Sequence, residues 1–240
     1  MSAIAEAIEA RLRAVGTRSR AEGEKAYLRS DLDFIGALVS DVRTAIRDLA
    51  PRMEHDELIA IATELWEPPI HELRTAAVLL LARDAKQLRA DDLPLIERIA
   101  RESRTWALLD YLAVDVVGPM VEADENALRT DLDRWSTDPD FWVRRASLLG
   151  ELRPIRRGAP MDRFLGRADR MLDEREFFIR KAIGWVLREA GRRRPDEVAA
   201  WLAPRTHRAS GVTMREAVKR MAPGEAARLM EAYRAGRPAA

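Results

Sequence analysis

Apolar and charged positions follow a helical period along most of this chain, and one short pattern of them recurs. The pattern consists of an apolar residue, an arginine, a second polar residue, and then alanine and aliphatic residues. It occurs at 73–77, 143–147, 179–183 and 214–218, so its arginines are separated by 70, 36 and 35 residues. Because 70 is twice 35, the sequence predicts a repeat of about 35 residues, with one further member centred on Leu109 and Asp110.

Turn-forming residues precede three of these patterns, at 67–69, 137–139 and 173–174. They predict helix caps or first turns, each followed by a helix of about 12 to 16 residues. Each repeat is therefore predicted to be a pair of helices. Helical units of this length are typical of HEAT-like solenoids, in which neighbouring units bury each other's apolar faces. The predicted fold is all-α, a right-handed α-solenoid of HEAT-like helix pairs whose second helices line a concave surface.

Composition supports helices and limits the possible chemistry. Hydrophobic residues make up 47% of the 240 residues and aromatic residues only 6%, while Ala, Leu, Arg and Glu recur throughout. We predict one domain over 1–240, with an N-terminal helix at 1–20 that could be mobile and a C-terminal helix with a disordered tail at 222–240. The chain has no Cys and three His. We therefore expect no metal, no cofactor and no disulfide.

Several function classes lack their sequence signatures. The chain contains no phosphate-binding loop, no dinucleotide-binding glycine motif and no H-E-x-x-H motif. The longest apolar run, at 76–82, is too short to span a bilayer, and the first residues do not resemble a secretory leader. We expect a cytoplasmic protein without membrane contact, and we expect the three histidines to be ordinary surface or turn residues.

Charge is distributed unevenly along the chain. Residues 1–140 hold 18 Lys and Arg against 28 Asp and Glu, whereas residues 141–220 hold 20 against 10. The second segment is expected to attract a polyanion, and the arginine clusters at 152–158 and 188–195 are candidates for phosphate contacts. Simpler interpretations exist for both observations. A high genomic G+C content also raises the number of Arg relative to Lys, and isolated arginine clusters are about as often plain solvated surface as binding sites.

Equivalent positions of consecutive repeats are expected to lie side by side, at the spacing of packed helices. Asp110, Arg145 and Lys181 would then form one row. Trp106 lies four residues before Asp110 and Trp185 four residues after Lys181, so these indoles share the faces of the row. A carboxylate, two cations and aromatic rings are therefore predicted to meet on one surface.

Each of these residues also has a purely structural interpretation. Asp110 could be a helix acid that pairs with a neighbouring arginine, although its mostly apolar surroundings make a charge costly there. For Trp66, Trp135 and Trp201 we favour core packing. The pattern leaves Trp142 undecided.

The same residues resemble those of the AlkD-type DNA alkylation repair glycosylases, a family built of HEAT-like repeats. The closest stretch is FIRKAIGWVLRE at 178–189. Shorter similar stretches occur in the same order at 64–66, 103–110, 141–148 and 215–221. The similarity runs in register from Tyr27 to Met221.

The resemblance implies a role for each matching residue. Asp110 is the implied catalytic carboxylate, Trp106 and Trp185 would pack around the deoxyribose of the lesion, and Arg145 would hold the adjacent phosphate. Tyr27 is an implied further DNA contact. The cations of the basic segment are the other candidates for DNA binding: Arg144, Arg145, Arg156, Arg157, Lys181, Arg188, Arg192 and Arg193.

The implied activity is excision of cationic alkylpurines from duplex DNA, without swinging the base into a deep pocket. The concave surface would then be a basic DNA-binding groove of a protein acting as a monomer at the nucleoid. The alternative is a non-catalytic HEAT-like scaffold that binds DNA or a protein partner through the same surface. A carboxylate in a basic groove favours the enzyme, because a pure phosphate binder gains nothing from it.

Overall fold

The computed structural model describes residues 1–236 and confirms the all-α fold. It divides into two compact units, Met1–Val116 and Val117–Ala240. Among the described residues, strand-like pairing is confined to an isolated parallel bridge between Asp33 and Ile70. The helix predicted after residue 222 is present, whereas the end of the predicted tail, at 237–240, lies outside the described residues.

The first unit contains seven α-helices, two short 3-10 turns and all but the last residue of a π-helical segment. The helices are α1 Ala3–Val15, α2 Arg18–Leu28, α3 Val39–Leu49, α4 His55–Trp66, α5 His71–Arg83, α6 Leu93–Ser103 and α7 Trp106–Tyr111, with 3-10 turns at Ala85–Gln87 and Ala90–Asp92 and the π-helical segment at Leu112–Val117. Helix α4 packs against α5, and α1 packs against α3. Helix α5 also packs against both α3 and α7.

Helix α5 forms the core of the first unit because it is apolar on nearly all sides. The pattern arginine Arg74 lies over the Trp66 ring, with 4.6 Å from the guanidinium carbon to the ring centroid, and donates to the Glu102 carbonyl at 3.0 Å. Burial extends to His71, which is 7% exposed and stacks on Phe34 with centroids 4.7 Å apart. The prediction of a surface or turn position was therefore wrong for His71.

A buried carboxylate shapes the loop before α3. Glu72, which is 1% exposed, accepts backbone N–H groups from Ile35 at 2.9 Å, Gly36 at 2.5 Å and Ala37 at 3.2 Å. Gly36 has φ +80, and a Cβ there would collide with the Thr17 carbonyl, so only glycine fits this position. The Gly36 carbonyl accepts a bond from Arg20 on α2, and the loop thereby fixes α2.

The second unit contains nine α-helices within its described residues. The helices are α8 Gly118–Ala123, α9 Glu125–Trp135, α10 Phe141–Leu149, α11 Leu152–Arg157, α12 Asp162–Arg170, α13 Phe177–Ala190, α14 Pro195–Leu202, α15 Gly211–Ala217 and α16 Pro223–Ala235, with 3-10 turns at Ala203–Arg205 and Val218–Arg220. Helix α13 packs against α10, α11 and α15 and forms the centre of this unit.

Polar contacts follow the predicted repeat of about 35 residues. The Trp66 indole donates to Glu102 at 2.7 Å across 36 positions, and Arg205 donates to Asp169 at 2.8 Å, also across 36 positions. The four recurring patterns lie on α5, α10, α13 and α15, and Asp110 lies on α7. The periodicity therefore located the helices correctly.

The predicted helix caps were wrong, although the segments before the helices are turns or bends. The side chain of Asp140 caps α10 by accepting the Trp142 N–H at 2.8 Å, and Glu176 caps α13 by accepting the Phe178 N–H at 3.3 Å. Helix α5 follows Ile70 without a side-chain cap. A cap must lie directly before the first free N–H groups, which the turn signals two or three residues earlier did not show.

The tryptophans predicted to pack in the core behave differently from one another. Trp66 and Trp135 are fully buried, which confirms that prediction. Trp201 is only half-buried and lies under the guanidinium of Arg205, 4.7 Å from its ring centroid, so core packing was wrong there.

In the described part of the chain, none of the helices is long and apolar enough to cross a membrane.

Candidate nucleic-acid interface and carboxylate

Helix α7 carries two of the predicted site residues on one face. Thr105 begins the helix by accepting the Ala107 N–H at 3.3 Å, so Trp106 is its first residue. Asp110 follows one turn later and is half-buried, as is Trp106. Leu108 and Leu109 between them are fully buried. The core contacts of these leucines anchor the helix, and the other face carries the indole and the carboxylate.

Tyr27 on α2 contacts the indole of Trp106. The two ring centroids are 6.2 Å apart and the ring planes meet at 85°, an edge-to-face arrangement. Tyr27 is 74% exposed, and α2 has no buried residue. The aromatic pair therefore lies at the surface of the first unit.

The segment that follows α7 is π-helical from Leu112 to Val117. π-Helical turns are rare in proteins, and those that occur often lie at functional sites. Just before it, Tyr111 has the guanidinium of Arg43 over its ring, 5.6 Å from the centroid. The first unit thus brings together three predicted residues, Tyr27, Trp106 and Asp110.

In the second unit, Arg145 on α10 is only 3% exposed. Its guanidinium donates to the Phe178 carbonyl at 2.5 Å and lies 5.8 Å from the centroid of the Phe178 ring. Phe178 also contacts Trp142, with centroids 4.8 Å apart. Trp142 is 8% exposed, which assigns this residue to an aromatic cluster of the core. The cluster holds Arg145 in one orientation.

Most of the predicted DNA-binding cations of this unit are paired with carboxylates. Arg144 makes a bidentate pair with Glu174, at 2.8 Å for both bonds. Arg193 lies exposed just beyond α13. The remaining ion pairs are Arg156 with Glu189, Arg157 with Glu122, Lys181 with Glu216, Arg188 with Glu216 and Arg192 with Glu189.

Two buried carboxylates connect several of these cations into one network. Glu216 accepts from Lys181 at 2.6 Å, from Lys219 at 2.5 Å and from Arg188. Glu189 lies within 3.5 Å of Arg156, Arg188 and Arg192. Five cations therefore share two carboxylates, and the network keeps a net charge of +3. A guanidinium has five N–H groups, so pairing leaves donors for a phosphate.

The network depends on a close approach between α13 and α15. A Cβ on Gly184 would lie 2.6 Å from the Cβ of Glu216, so glycine lets the carboxylate reach Lys181. Burial alone would raise the pKa of Glu216, but hydrogen bonds from Lys181 and Lys219 outweigh it, and the net effect lowers that pKa. Glu216 therefore stays ionised at neutral pH.

The row that the sequence predicts, Asp110, Arg145 and Lys181, stays a prediction, whereas one pair of equivalent positions that extends beyond that row is in contact within the second unit. Lys181 and Glu216 occupy the same place in consecutive patterns, and their side chains are in contact. Trp185 is half-buried on α13, one turn after Lys181. The first unit holds Asp110 and Trp106 on α7, and the roles of all these residues stay predictions.

Sequence reasoning missed the carboxylates Glu174, Glu189 and Glu216 and the cation Lys219. One signal was available. The second polar position of the pattern is basic at Arg145 and Lys181 but acidic at Glu216, and opposite charges at equivalent positions predict a pair. Among the described residues, no group of three or more His, Asp or Glu is placed to hold a metal ion.

Comparison with known proteins identifies the family. A sequence model of the DNA alkylation repair enzyme family matches residues 8–221 of this chain. The chain therefore belongs to the DNA alkylation repair enzyme family. Among curated proteins there is no match.

Solved structures share the fold. A predicted DNA alkylation repair enzyme from Enterococcus faecalis is similar with a TM-score of 0.76 and 20% identity, over 87% of this chain and 97% of that one. The protein smu.31 from Streptococcus mutans UA159 has a TM-score of 0.62 and 16% identity, over 90% and 98%. AlkD2 from Streptococcus mutans has a TM-score of 0.61 and 16% identity, over 83% and 98%.

Proposed function

We propose that this protein is a monofunctional DNA glycosylase that hydrolyses the N-glycosidic bond of cationic alkylated purines, such as 3- or 7-alkylpurines, in duplex DNA. The observation that carries the proposal is the position of Asp110. Its carboxylate is half-buried on α7, one helical turn from Trp106, whose ring contacts Tyr27. Membership of the DNA alkylation repair enzyme family supports the same activity.

Hydrolysis of this glycosidic bond requires little from the protein beyond one negative charge near the sugar. Alkylation of a ring nitrogen makes the purine cationic, so the base leaves with the electron pair of its glycosidic bond and becomes neutral. Positive charge then develops on the deoxyribose. The Asp110 carboxylate stabilises this charge and orients a water molecule. The water oxygen bonds to C1′, its proton passes to solvent, and the products are a free base and an abasic site.

The other predicted residues bind and position the DNA. The indoles of Trp106 and Trp185 offer faces for a sugar or a cation. Arg145 and the cations paired with Glu189 and Glu216 are suited to phosphate contacts. The surface position of the Tyr27–Trp106 pair supports excision without a deep base pocket, so we expect bulky 7-alkylguanines to be excised as well as methylated ones.

The test is release of free base from a duplex that contains 7-methylguanine, measured by chromatography under single-turnover conditions in EDTA. Asp110→Asn should slow release by about a hundredfold to a thousandfold, because one preorganised electrostatic contact is typically worth that much. Duplex binding should be retained. Asp162→Asn is the matched control, since it makes the same change at an exposed residue of α12 and should release base at the wild-type rate.

The outcomes separate the enzyme from a scaffold. Equal rates for wild type and Asp110→Asn would remove Asp110 from the mechanism. If wild type binds the duplex but releases neither 7-methylguanine nor a larger adduct, the protein is a DNA-binding scaffold.

A further inference from the structure

Arg29 and Arg104 have a left-handed backbone. Their φ and ψ angles are 49 and 44 at Arg29 and 47 and 13 at Arg104, and within residues 1–236 no other non-glycine residue has a positive φ. Each directly follows a helix, where glycine or asparagine is usual because a larger residue is strained. Elsewhere the chain does use glycine for positive φ, at Gly36 and Gly158.

Both arginines lie next to the aromatic pair. Arg29 ends α2 two residues after Tyr27, and Arg104 ends α6 two residues before Trp106. The rings of Tyr27 and Trp106 are in contact. These two strained positions therefore flank one feature of the first unit, although they are 75 residues apart in sequence.

Within residues 1–236, no hydrogen bond or ion pair explains why these residues are arginines. Both side chains are exposed, and in the described part of the structure neither guanidinium has a hydrogen bond or an ion pair. Neighbouring arginines differ in this respect, since Arg18 pairs with Glu22 and Arg98 with Glu67. No polar contact of either guanidinium within the described residues offsets the strain, and strained backbone of this kind is concentrated at functional sites.

We propose that Arg29 and Arg104 bind backbone phosphates of duplex DNA beside the nucleotide that meets the Tyr27–Trp106 pair. The proposal rests on the proposed function for the identity of the ligand. An exposed, unpaired guanidinium can make a bidentate contact to a phosphate, and glycine or asparagine cannot. Phosphate binding then outweighs the cost of the strained backbone at these two positions.

The experiment separates backbone from charge at each position. Arg→Gly removes both strain and charge, Arg→Asn removes the charge but tolerates the left-handed backbone, and Arg→Lys keeps the charge. Thermal unfolding without DNA gives Tm. Fluorescence anisotropy with a labelled duplex, repeated over a salt series, gives Kd and the salt slope. Arg228→Asn is the control, because it removes one charge from an exposed residue that is paired with Glu225.

We expect Arg→Gly to raise Tm at either position. We expect Arg→Gly and Arg→Asn to weaken duplex binding about fivefold to tenfold and to reduce the slope of log K against log salt by about 0.9, the value for one lost phosphate contact. Arg→Lys should keep the wild-type slope, and Arg228→Asn should leave both quantities unchanged.

The slope decides the outcome. If wild type binds and the Asn and Gly variants keep its Kd and slope, the phosphate contact is wrong while the proposed function stands. A lower Tm with an unchanged slope would make these arginines structural. If the salt slopes of the Gly and Asn variants fall as expected but the wild-type protein releases no base, the proposed glycosylase activity is wrong and the phosphate contacts stand. Failure of wild type to bind the duplex would overturn both.

Discussion

The ring of Tyr27 meets the indole of Trp106 edge-on, with the centroids 6.2 Å apart. Tyr27 lies on a helix without buried residues and is 74% exposed, so this contact contributes little to the core. We therefore expect the contact to orient the indole that precedes Asp110 by one helical turn.

Tyr27→Ala should therefore reduce activity with little loss of stability. An edge-to-face pair is worth about 0.5 to 1.5 kcal/mol, so we expect base release to slow by about threefold to tenfold. Single-turnover rates and Tm values measure the two effects. Tyr27→Phe keeps the ring and should stay close to wild type in both. A Tyr27→Ala variant with the wild-type rate would show that the ring does not position Trp106.

Glu216 should stabilise the second unit in a pH-dependent way. Glu216→Gln removes a buried charge that holds Lys181 and Lys219, and we expect a loss of about 1 to 3 kcal/mol at pH 7. The folded-state pKa is below the ordinary value of 4.5, so this contribution is present above about pH 4.5 and is lost as the pH falls through the folded pKa. Urea unfolding at several pH values measures it.

The control for Glu216→Gln is Glu225→Gln. Glu225 pairs with Arg228 across one turn of α16 at the surface, and such exposed pairs contribute little. We expect its free energy of unfolding to match that of wild type. A similar loss in both variants would mean that burial of Glu216 is not the cause.

His71 should make the protein less stable in mild acid. Burial lowers its pKa from 6.5 to about 4, and among the described residues its Nδ1 has no hydrogen-bond partner. The unfolded chain takes up a proton below pH 6.5 and the folded protein does so only near pH 4. Stability therefore falls as the pH drops between these values, by about 2 kcal/mol at pH 5.

Urea unfolding at pH 7 and pH 5 tests this role of His71. His71→Leu should abolish most of the difference between the two conditions. His55→Gln should not, because hydrogen bonds to Asp56 and Asp92 raise the pKa of His55 and give it the opposite effect. An undiminished acid loss in His71→Leu would assign the titration to another group.

Arg145→Ala should affect both stability and DNA binding. The guanidinium is buried and donates to the Phe178 carbonyl, so its removal loses this hydrogen bond and leaves a gap beside the aromatic cluster, at a cost of about 1 to 3 kcal/mol. As a phosphate contact it should also reduce the salt slope of duplex binding by about 0.9. Anisotropy titrations and urea unfolding give the two values.

Arg205→Ala is the matched control for Arg145→Ala. Arg205 also lies over an aromatic ring, that of Trp201, and bonds to a carbonyl, but it is not among the predicted DNA contacts. The Arg205→Ala variant should be less stable than wild type and should keep the wild-type salt slope of duplex binding. Equal slopes in both variants and wild type would make Arg145 a purely structural residue.

The sequence by itself determined the helices and their repeat. Apolar periodicity placed the patterns on α5, α10, α13 and α15, and the spacing placed the remaining repeat member, around Asp110, on α7. These features are local or follow from a fixed repeat length, so a linear pattern carries them. Family membership follows from the same order of residues along the chain.

Only the tertiary structure decided which side chains meet and which charges are free. Tyr27 and Trp106 are 79 residues apart, and nothing in either helix predicts their contact. An arginine looks the same in sequence whether it is buried like Arg145, paired like Arg144 or unpaired like Arg104. The difference depends on the distance to carboxylates and carbonyls of neighbouring helices. Packing sets those distances, and the period of a single helix does not contain them.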